Sequence, residues 1–289
     1  PEQLSWAEAA LLAVLPNAPA LLYPGKNNTL LKQKRDGLLA KLYREGVMSE
    51  DSYHLALAEP LPEKKFDIPT VAPHLLAKAY REKKGKVCPT YIDGRLQKKI
   101  NEIVERHTAL LSQNYIYNMA VLVAHVPTGE VRAYVGNSAP RKSSRGNDVD
   151  IVQAVRSSGS ILKPALYACM LQSGFILPGT LVPDIPSRFG SYSPSNFNRD
   201  FKGVVPARQA LAQSLNIPFV RLLKDYSYAR FYDDLKQLGI RSLNRDADHY
   251  GLSLILGGAE TSLWDICNLY GGMSAVLNHY NDRDGQYFD

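Results

Sequence analysis

The chain has 289 residues, 45% apolar and 21% charged, with a net charge of +6, enough to bury one large core or two small ones. The charge is spread along the chain, since residues 1–90 carry 13 Lys and Arg against 10 Asp and Glu and the rest 21 against 18, which excludes a basic tail for nucleic acid. No run approaches the roughly 18 apolar residues of a membrane span, and no phosphate-cradling Gly-rich loop or H-E-x-x-H pair is present.

Ser5 followed by Glu8 forms a capping-box pattern that starts a helix over 5–15, stopped at Pro16. A Leu-rich helix is expected over 29–45 with Gly46 as its stop, and a short third from Ser49, giving a small helical lobe over 1–58. Pro60, Pro62, Pro69 and Pro73, interleaved with charge, read as a linker over 59–90. The KQKR and REKKGK runs read as solvated helix face and linker. From 91 to 289 a second domain is expected. It opens with an amphipathic helix over 94–113, then a β-hairpin over 118–136 with a Pro-Thr-Gly turn, in which His125 reads as a satisfied strand residue. A polar loop over 137–149 leads to an apolar helix, then to a long loop over 175–203 rich in Pro, Ser, Asn and aromatics. Helices follow over 206–214, 218–224, 227–238 and 261–277. One hairpin among many helices predicts an α+β fold. Cys88, Cys169 and Cys267 are too far apart for C-x-x-C spacing, so neither metal nor cofactor is expected.

The segment SSGSILKPALY at 157–167 carries the chemistry. Ser160 and Lys163 lie three residues apart, within side-chain reach on one helix face. Pro164 is tolerated only in a first turn, which places the helix start near Ser160, with the Ser160 N–H free to face a developing oxyanion. A serine hydroxyl needs a base to become a nucleophile. A lysine of pKa near 10.4 is neutralised at pH 7 only at a cost of about 4.6 kcal/mol, most of which burial can remove.

Three further stretches extend the pattern: TGEVRAYVG, NFNRDFKGVVPARQALAQSLNIPFVRLL and YGLSLILGGAETSLWDICNLYGG. With the Ser-x-x-Lys helix and the Ser-Leu-Asn at 214–216, they resemble the transpeptidase domain of the class A, bifunctional penicillin-binding proteins, nearest to the 1C type. The lobe over 1–58, with LSWAEAALLAVLPNAPALLYPGKN, is similar to the closing segment of the family 51 glycosyltransferase domain that precedes it in those proteins.

The resemblance implies a penicillin-binding protein/serine β-lactamase-like fold, helices around an antiparallel sheet. It implies a D,D-transpeptidase acting on peptidoglycan stem peptides ending in D-Ala-D-Ala, open to β-lactams as covalent inhibitors, at the extracytoplasmic face of the bacterial membrane and anchored upstream. Ser160 would be the nucleophile, Lys163 its base, Ser214 a proton relay and Asn216 a hold on the substrate amide, with Tyr192, Phe197 and Phe201 candidates for the groove. Without the resemblance, Ser214 and Asn216 read as cap and filler of a turn, the aromatics as a packed loop, and Arg156 as half of an ion pair.

Two departures qualify the expectation. The glycosyltransferase glutamates belong to motifs upstream of the lobe, and no Lys-Thr-Gly or Lys-Ser-Gly follows Asn216. The chain is therefore read as an internal piece of a longer enzyme, weakly active or inactive by itself. The competing reading is a penicillin-binding fold without catalysis that serves as an interaction domain. A serine β-lactamase leaves the glycosyltransferase-like lobe unexplained.

Overall fold

Ser5 sets the first helix. Its hydroxyl accepts from the Glu8 N–H at 3.1 Å while the Glu8 carboxylate accepts from the Ser5 N–H at 2.9 Å, so two of the helix's four orphan donors are satisfied reciprocally. The helix α1, Trp6–Val14, buries Ala7, Ala10, Leu11 and Val14. In this computed structural model, which describes residues 4–17, 21–64, 70–139, 146–190, 192–282 and 285, the chain divides into two units, Pro1–Pro69 and Thr70–Asp289. In the first, α2 (Asn28–Arg44) and α3 (Glu50–Ala58, capped by Ser49) pack with α1 around fully buried Leu31 and Leu39. Arg35 is buried with them and donates to the Glu59 carbonyl at 2.7 Å, which ties the end of α3 to the middle of α2.

The stretch read as a linker is not all linker. Pro73 occupies the first turn of α4, Pro73–Glu82, where a missing N–H leaves no bond unmade. Residues 65–69 lie outside the described residues. The helix α5, Gly94–Leu111, is capped by Asp93, whose carboxylate accepts from the Arg95 and Leu96 N–H groups.

The hairpin pairs β1 (Val121–Ala124) antiparallel with β2 (Val131–Val135), Val121 opposite Val135, with the register shifting after Val123. His125 lies just past β1, and its ring bonds Thr128 in the turn. On its other edge β2 meets no strand among the described residues. Instead the buried Gln97 side chain, from α5, donates to the Tyr134 carbonyl at 3.1 Å and accepts from the Tyr134 N–H at 2.8 Å, while the Asp93 N–H donates to the Arg132 carbonyl at 2.9 Å. Beyond β2, buried Asn137 donates to the Gly146 and Val149 carbonyls and folds in both ends of the polar loop, whose residues 140–145 lie outside the described residues.

The remaining elements are β3 (Arg156–Ser157), α6 (Lys163–Gln172), β4 (Leu181–Asp184), β5 (Gly203–Pro206), α7 (Ala207–Ala212), α8 (Asn216–Tyr226), α9 (Tyr228–Gln237), α10 (Ala247–Tyr250), β6 (Glu260–Thr261) and α11 (Leu263–Asp282). Among the described residues the strands form three separate two-stranded antiparallel ladders, β1 with β2, β3 with β6 and β4 with β5, not one joined sheet. The long loop expected over 175–203 thus contains a strand that pairs back on its own exit. The core of this unit gathers Leu162, Leu166 and Met170 around α6 with Phe219, Val220 and Leu223 of α8, Phe231 and Leu235 of α9, and Ile255. Burying side chains of this size contributes about 1.5–3 kcal/mol each, so α6 and α8 are held rigidly where they meet.

Replacing Gln97 by Leu leaves two buried backbone groups of Tyr134 without partners. The expected loss is about 3 kcal/mol of stability, read as a lower midpoint in urea unfolding.

Candidate functional site

Ser160 is held from three sides. Upstream, β3 pairs with β6, Arg156 opposite Thr261, and the Ser158 N–H donates to the Ala259 carbonyl at 2.9 Å. Ser157 donates to the Gly257 carbonyl at 2.8 Å. The backbones approach so closely there that a Cβ on Gly257, itself at φ +103, would lie 2.5 Å from Ser157 Oγ and 2.9 Å from the Gly159 nitrogen. Gly159 at φ +53 then turns the chain. The Ile161 N–H donates to the Ser158 carbonyl at 3.2 Å and the Lys163 N–H to the Ser160 carbonyl at 3.1 Å. From the far side, the Tyr270 hydroxyl donates to the Ile161 carbonyl at 2.8 Å.

This turn corrects the expected helix start. The α-helix begins at Lys163, with Pro164 in its first turn, and Ser160 precedes it by three residues. The left-handed Gly159 and the tight turn after it use up the residues that a helix from Ser160 would have needed. Ser160 is half-buried, and its N–H has no acceptor among the described residues. Arg156 forms no ion pair among the described residues and instead donates to the Val155 carbonyl at 2.9 Å.

Lys163 is 1% exposed. Its amine donates to the Ser214 carbonyl and to Asn216 Oδ1, both at 2.7 Å, and to Ser214 Oγ at 3.2 Å, and it lies 5.6 Å from the centre of the Phe219 ring. Burial pushes its pKa down from 10.5 to about 8. The cost of the neutral form at pH 7 drops from about 5 to about 1 kcal/mol. The same shift has a stability consequence. The unfolded lysine holds its proton up to 10.5 and the folded one only to about 8, so the buried charge costs about 3 kcal/mol below pH 8, and stability recovers as pH rises from 8 toward 10.5.

The amine's hydrogen bonds go to Ser214 and Asn216. Among the described residues none joins it to the Ser160 hydroxyl. The structure therefore brings Lys163, Ser214 and Asn216 into one bonded cluster, with Ser160 on the adjoining turn.

Ser214 owes its place to the end of α7. The Ser214 N–H donates to the Leu211 carbonyl at 2.9 Å and the Leu215 N–H to the Ala210 carbonyl at 3.0 Å, the double bond pattern of a Schellman ending. Ser214 occupies its left-handed position at φ +51, where glycine is the usual residue. This turn aims both its carbonyl and its hydroxyl at Lys163.

Asn216 opens α8, and its orientation comes from a distant loop. Its side-chain NH2 donates to the Ser195 carbonyl at 2.9 Å, leaving its oxygen to Lys163. Asn196, buried, accepts at Oδ1 from the Asn216 N–H at 2.9 Å and the Ile217 N–H at 3.4 Å, capping a helix whose own preceding residue, Leu215, cannot. Asn196 in turn donates to fully buried Asp184 at 2.7 Å and to the Asp200 carbonyl at 2.9 Å, and Asp184 also accepts from the Lys202 N–H at 3.0 Å. Sequence reasoning passed over Asp184 and Asn196. The only signal was the Pro-Ser-Asn within the long loop.

Of the three aromatic candidates, Tyr192 packs on the core and exchanges backbone bonds with Phe189, and burial raises its pKa. Phe197, next to Asn196, is 98% exposed and Phe201 is 43% exposed.

A profile of the penicillin binding protein transpeptidase domain matches residues 119–274, which span this turn, the lysine cluster and its supporting loop, and the chain belongs to that family. Among individual proteins it is similar to Penicillin-binding protein 1C of Escherichia coli strain K12, 33% identical over 270 residues, or 93% of this chain and 35% of that protein. It also resembles Penicillin-binding protein 1F of Bacillus subtilis strain 168, 26% identical over 90% of this chain and 37% of the relative. The chain thus spans about a third of the length of these curated relatives. In fold it is similar to Penicillin-Binding Protein 1A from Haemophilus influenzae, with a TM-score of 0.60 at 17% identity over 93% of this chain and 56% of that one. A second structural likeness is to PonA1 from Mycobacterium tuberculosis, with a TM-score of 0.56 at 21% identity over 71% of this chain and 56% of that one.

Ser214→Gly relieves the left-handed strain. Set against the larger chain entropy of an unfolded glycine, the net gain is about 0.5–1 kcal/mol, seen as a higher melting temperature, while the hydroxyl beside Lys163 is lost and labelling by penicillin slows.

Proposed function

We propose that the domain is a serine-type D,D-transpeptidase of peptidoglycan, with Ser160 as nucleophile and Lys163 as its base. The observation that carries this is the Lys163 amine, buried and poised near pKa 8 between two carbonyl oxygens at 2.7 Å. Carbonyl oxygens only accept, so in the neutral amine they take both N–H groups and leave the lone pair for a hydroxyl. The Ser214 hydroxyl is already beside it, and the reaction requires the Ser160 hydroxyl to reach it when substrate is bound. Such bonds commonly close only in the substrate complex.

In the first step Ser160 Oγ attacks the carbonyl carbon of the penultimate D-alanine and its proton passes to Lys163 Nζ. The tetrahedral oxyanion faces the free Ser160 N–H. As the C–N bond breaks, the proton returns through the Ser214 hydroxyl to the leaving amine of the terminal D-alanine. An amine on a neighbouring stem then attacks the ester carbon, its proton passing by way of the Lys163 amine to Ser160 Oγ as the C–O bond breaks, which forms the crosslink and frees the serine. A β-lactam enters the same first step, but its opened ring stays attached.

The parent polypeptide would work at the extracytoplasmic face of the bacterial membrane, in the periplasm, anchored ahead of this region and carrying a glycosyltransferase domain ending in the 1–58 lobe. A second reading, an inactive penicillin-binding fold that serves as an interaction domain in wall assembly, draws on one observation: among the described residues no hydrogen bond joins the Ser160 hydroxyl to the Lys163 amine.

Labelled penicillin followed by peptide mapping separates the two. The expected adduct is on Ser160, absent in Ser160→Ala and in Lys163→Ala, slow in the 289-residue chain and faster in a polypeptide that continues into a Lys-Thr-Gly strand. The acylation rate should climb with pH to a plateau, with a midpoint at about 8, the pKa of Lys163. A longer form that takes no label would favour the interaction domain, and one that labels equally after Ser160→Ala would reject Ser160 as the nucleophile.

A further inference from the structure

We propose that Asp184 and Asn196 are positioning residues for the reaction, holding the Asn216 amide and the start of α8 so that the Lys163 amine presents its lone pair to the serine hydroxyls. The proposal deepens the acyl-transfer reading and rests on it.

The argument follows the direction of each hydrogen bond. A side-chain amide can flip, and a flipped Asn216 would point an NH2 at the Lys163 amine, donor against donor. Groups that can only accept prevent this. The Ser195 carbonyl accepts from Asn216 Nδ2 at 2.9 Å and leaves Asn216 Oδ1 for Lys163. Ser195 is itself fixed by its neighbour Asn196, whose own amide is set by the Asp184 carboxylate and the Asp200 carbonyl, both acceptors of Asn196 Nδ2. With its NH2 committed, Asn196 must turn its oxygen to the α8 N-terminus, where the Asn216 and Ile217 N–H groups meet it. One chain of one-way bonds therefore runs from Asp184 through Asn196 to Asn216 and the amine.

Burial gives the chain its stiffness. Asp184 is 0% exposed and Asn196 5% exposed, and Asp184 makes no salt bridge among the described residues. A carboxylate this deep held only by an amide and a backbone N–H is costly to keep. Packing alone gives no reason for a carboxylate there, whereas orienting an amide does. Among the described residues no carboxylate bonds the Lys163 amine directly, so Asp184 acts on it through geometry.

The test compares wild type, Asn196→Ala, Asp184→Asn and the exchanged pair Asp184→Asn with Asn196→Asp, each checked by thermal melting. The readouts are the acylation rate with labelled penicillin against pH and the titration of the Lys163 Cε resonance in lysine-labelled protein. In Asn196→Ala the Asn216 oxygen is no longer held and water reaches the amine. Acylation is expected to fall about tenfold to a hundredfold, and the midpoint of both titrations should move up toward that of an ordinary lysine. The exchanged pair restores one donor and one acceptor in swapped places and is expected to recover much of the rate and the wild-type midpoint. A loss of stability alone would lower the melting temperature without moving the midpoint. Wild-type rate and midpoint in the folded single variants, or an exchanged pair that folds but keeps the midpoint of Asp184→Asn, would overturn the proposal. If Asn196→Ala does not fold, the exchanged pair decides by the same criterion. If the wild type takes no label while the Lys163 resonance still shifts in Asn196→Ala, acyl transfer fails and the positioning role stands.

Discussion

The structure turns on burying a lysine amine so that its hydrogen bonds go only to oxygen. An ammonium buried without acceptors would give up its proton or unfold the protein around it, and one bathed in solvent would never be neutral at pH 7. Lys163 lies between these limits because its stem enters the core through α6 while its tip meets the Ser214 carbonyl and Asn216 Oδ1. The rest of the second unit can be understood as the means of keeping those two oxygens in place.

Three kinds of local structure share that task. A Schellman ending at α7, occupied by a serine where glycine is easier, turns one carbonyl inward. A helix start capped from elsewhere in the chain fixes the second oxygen. The turn carrying Ser160 is pinned by β6, by the close approach of Gly257 and by Tyr270. Each device gives up a little stability, as strain, as a buried carboxylate or as a backbone contact that tolerates no side chain. The cluster of large apolar side chains around α6, α8 and α9 offsets these costs.

What could be read from sequence was what is written locally. The capping box at Ser5 and Glu8 and the hairpin each depend on residues within a turn or two of one another, and each stands in the structure. Prolines misled where position decides their effect, since Pro73 begins a helix inside what reads as linker. The helix start missed by three residues because Gly159 reads as ordinary spacing until its left-handed backbone is seen. Asp184 was not legible, and Asn196 showed only as the end of a Pro-Ser-Asn turn. They reach Asn216 from 32 and 20 positions away, through a ladder of four-residue strands hidden in a loop rich in turn formers.

The way Gln97 seals one edge of the hairpin has a directional meaning. A side-chain amide that both gives to and takes from Tyr134 mimics a neighbouring strand, and with the Asp93 N–H on Arg132 it occupies the outward backbone of β2. No further strand can add there without dislodging α5. Any widening of this sheet has to proceed from β1, so a single glutamine fixes the side from which the ladder can grow.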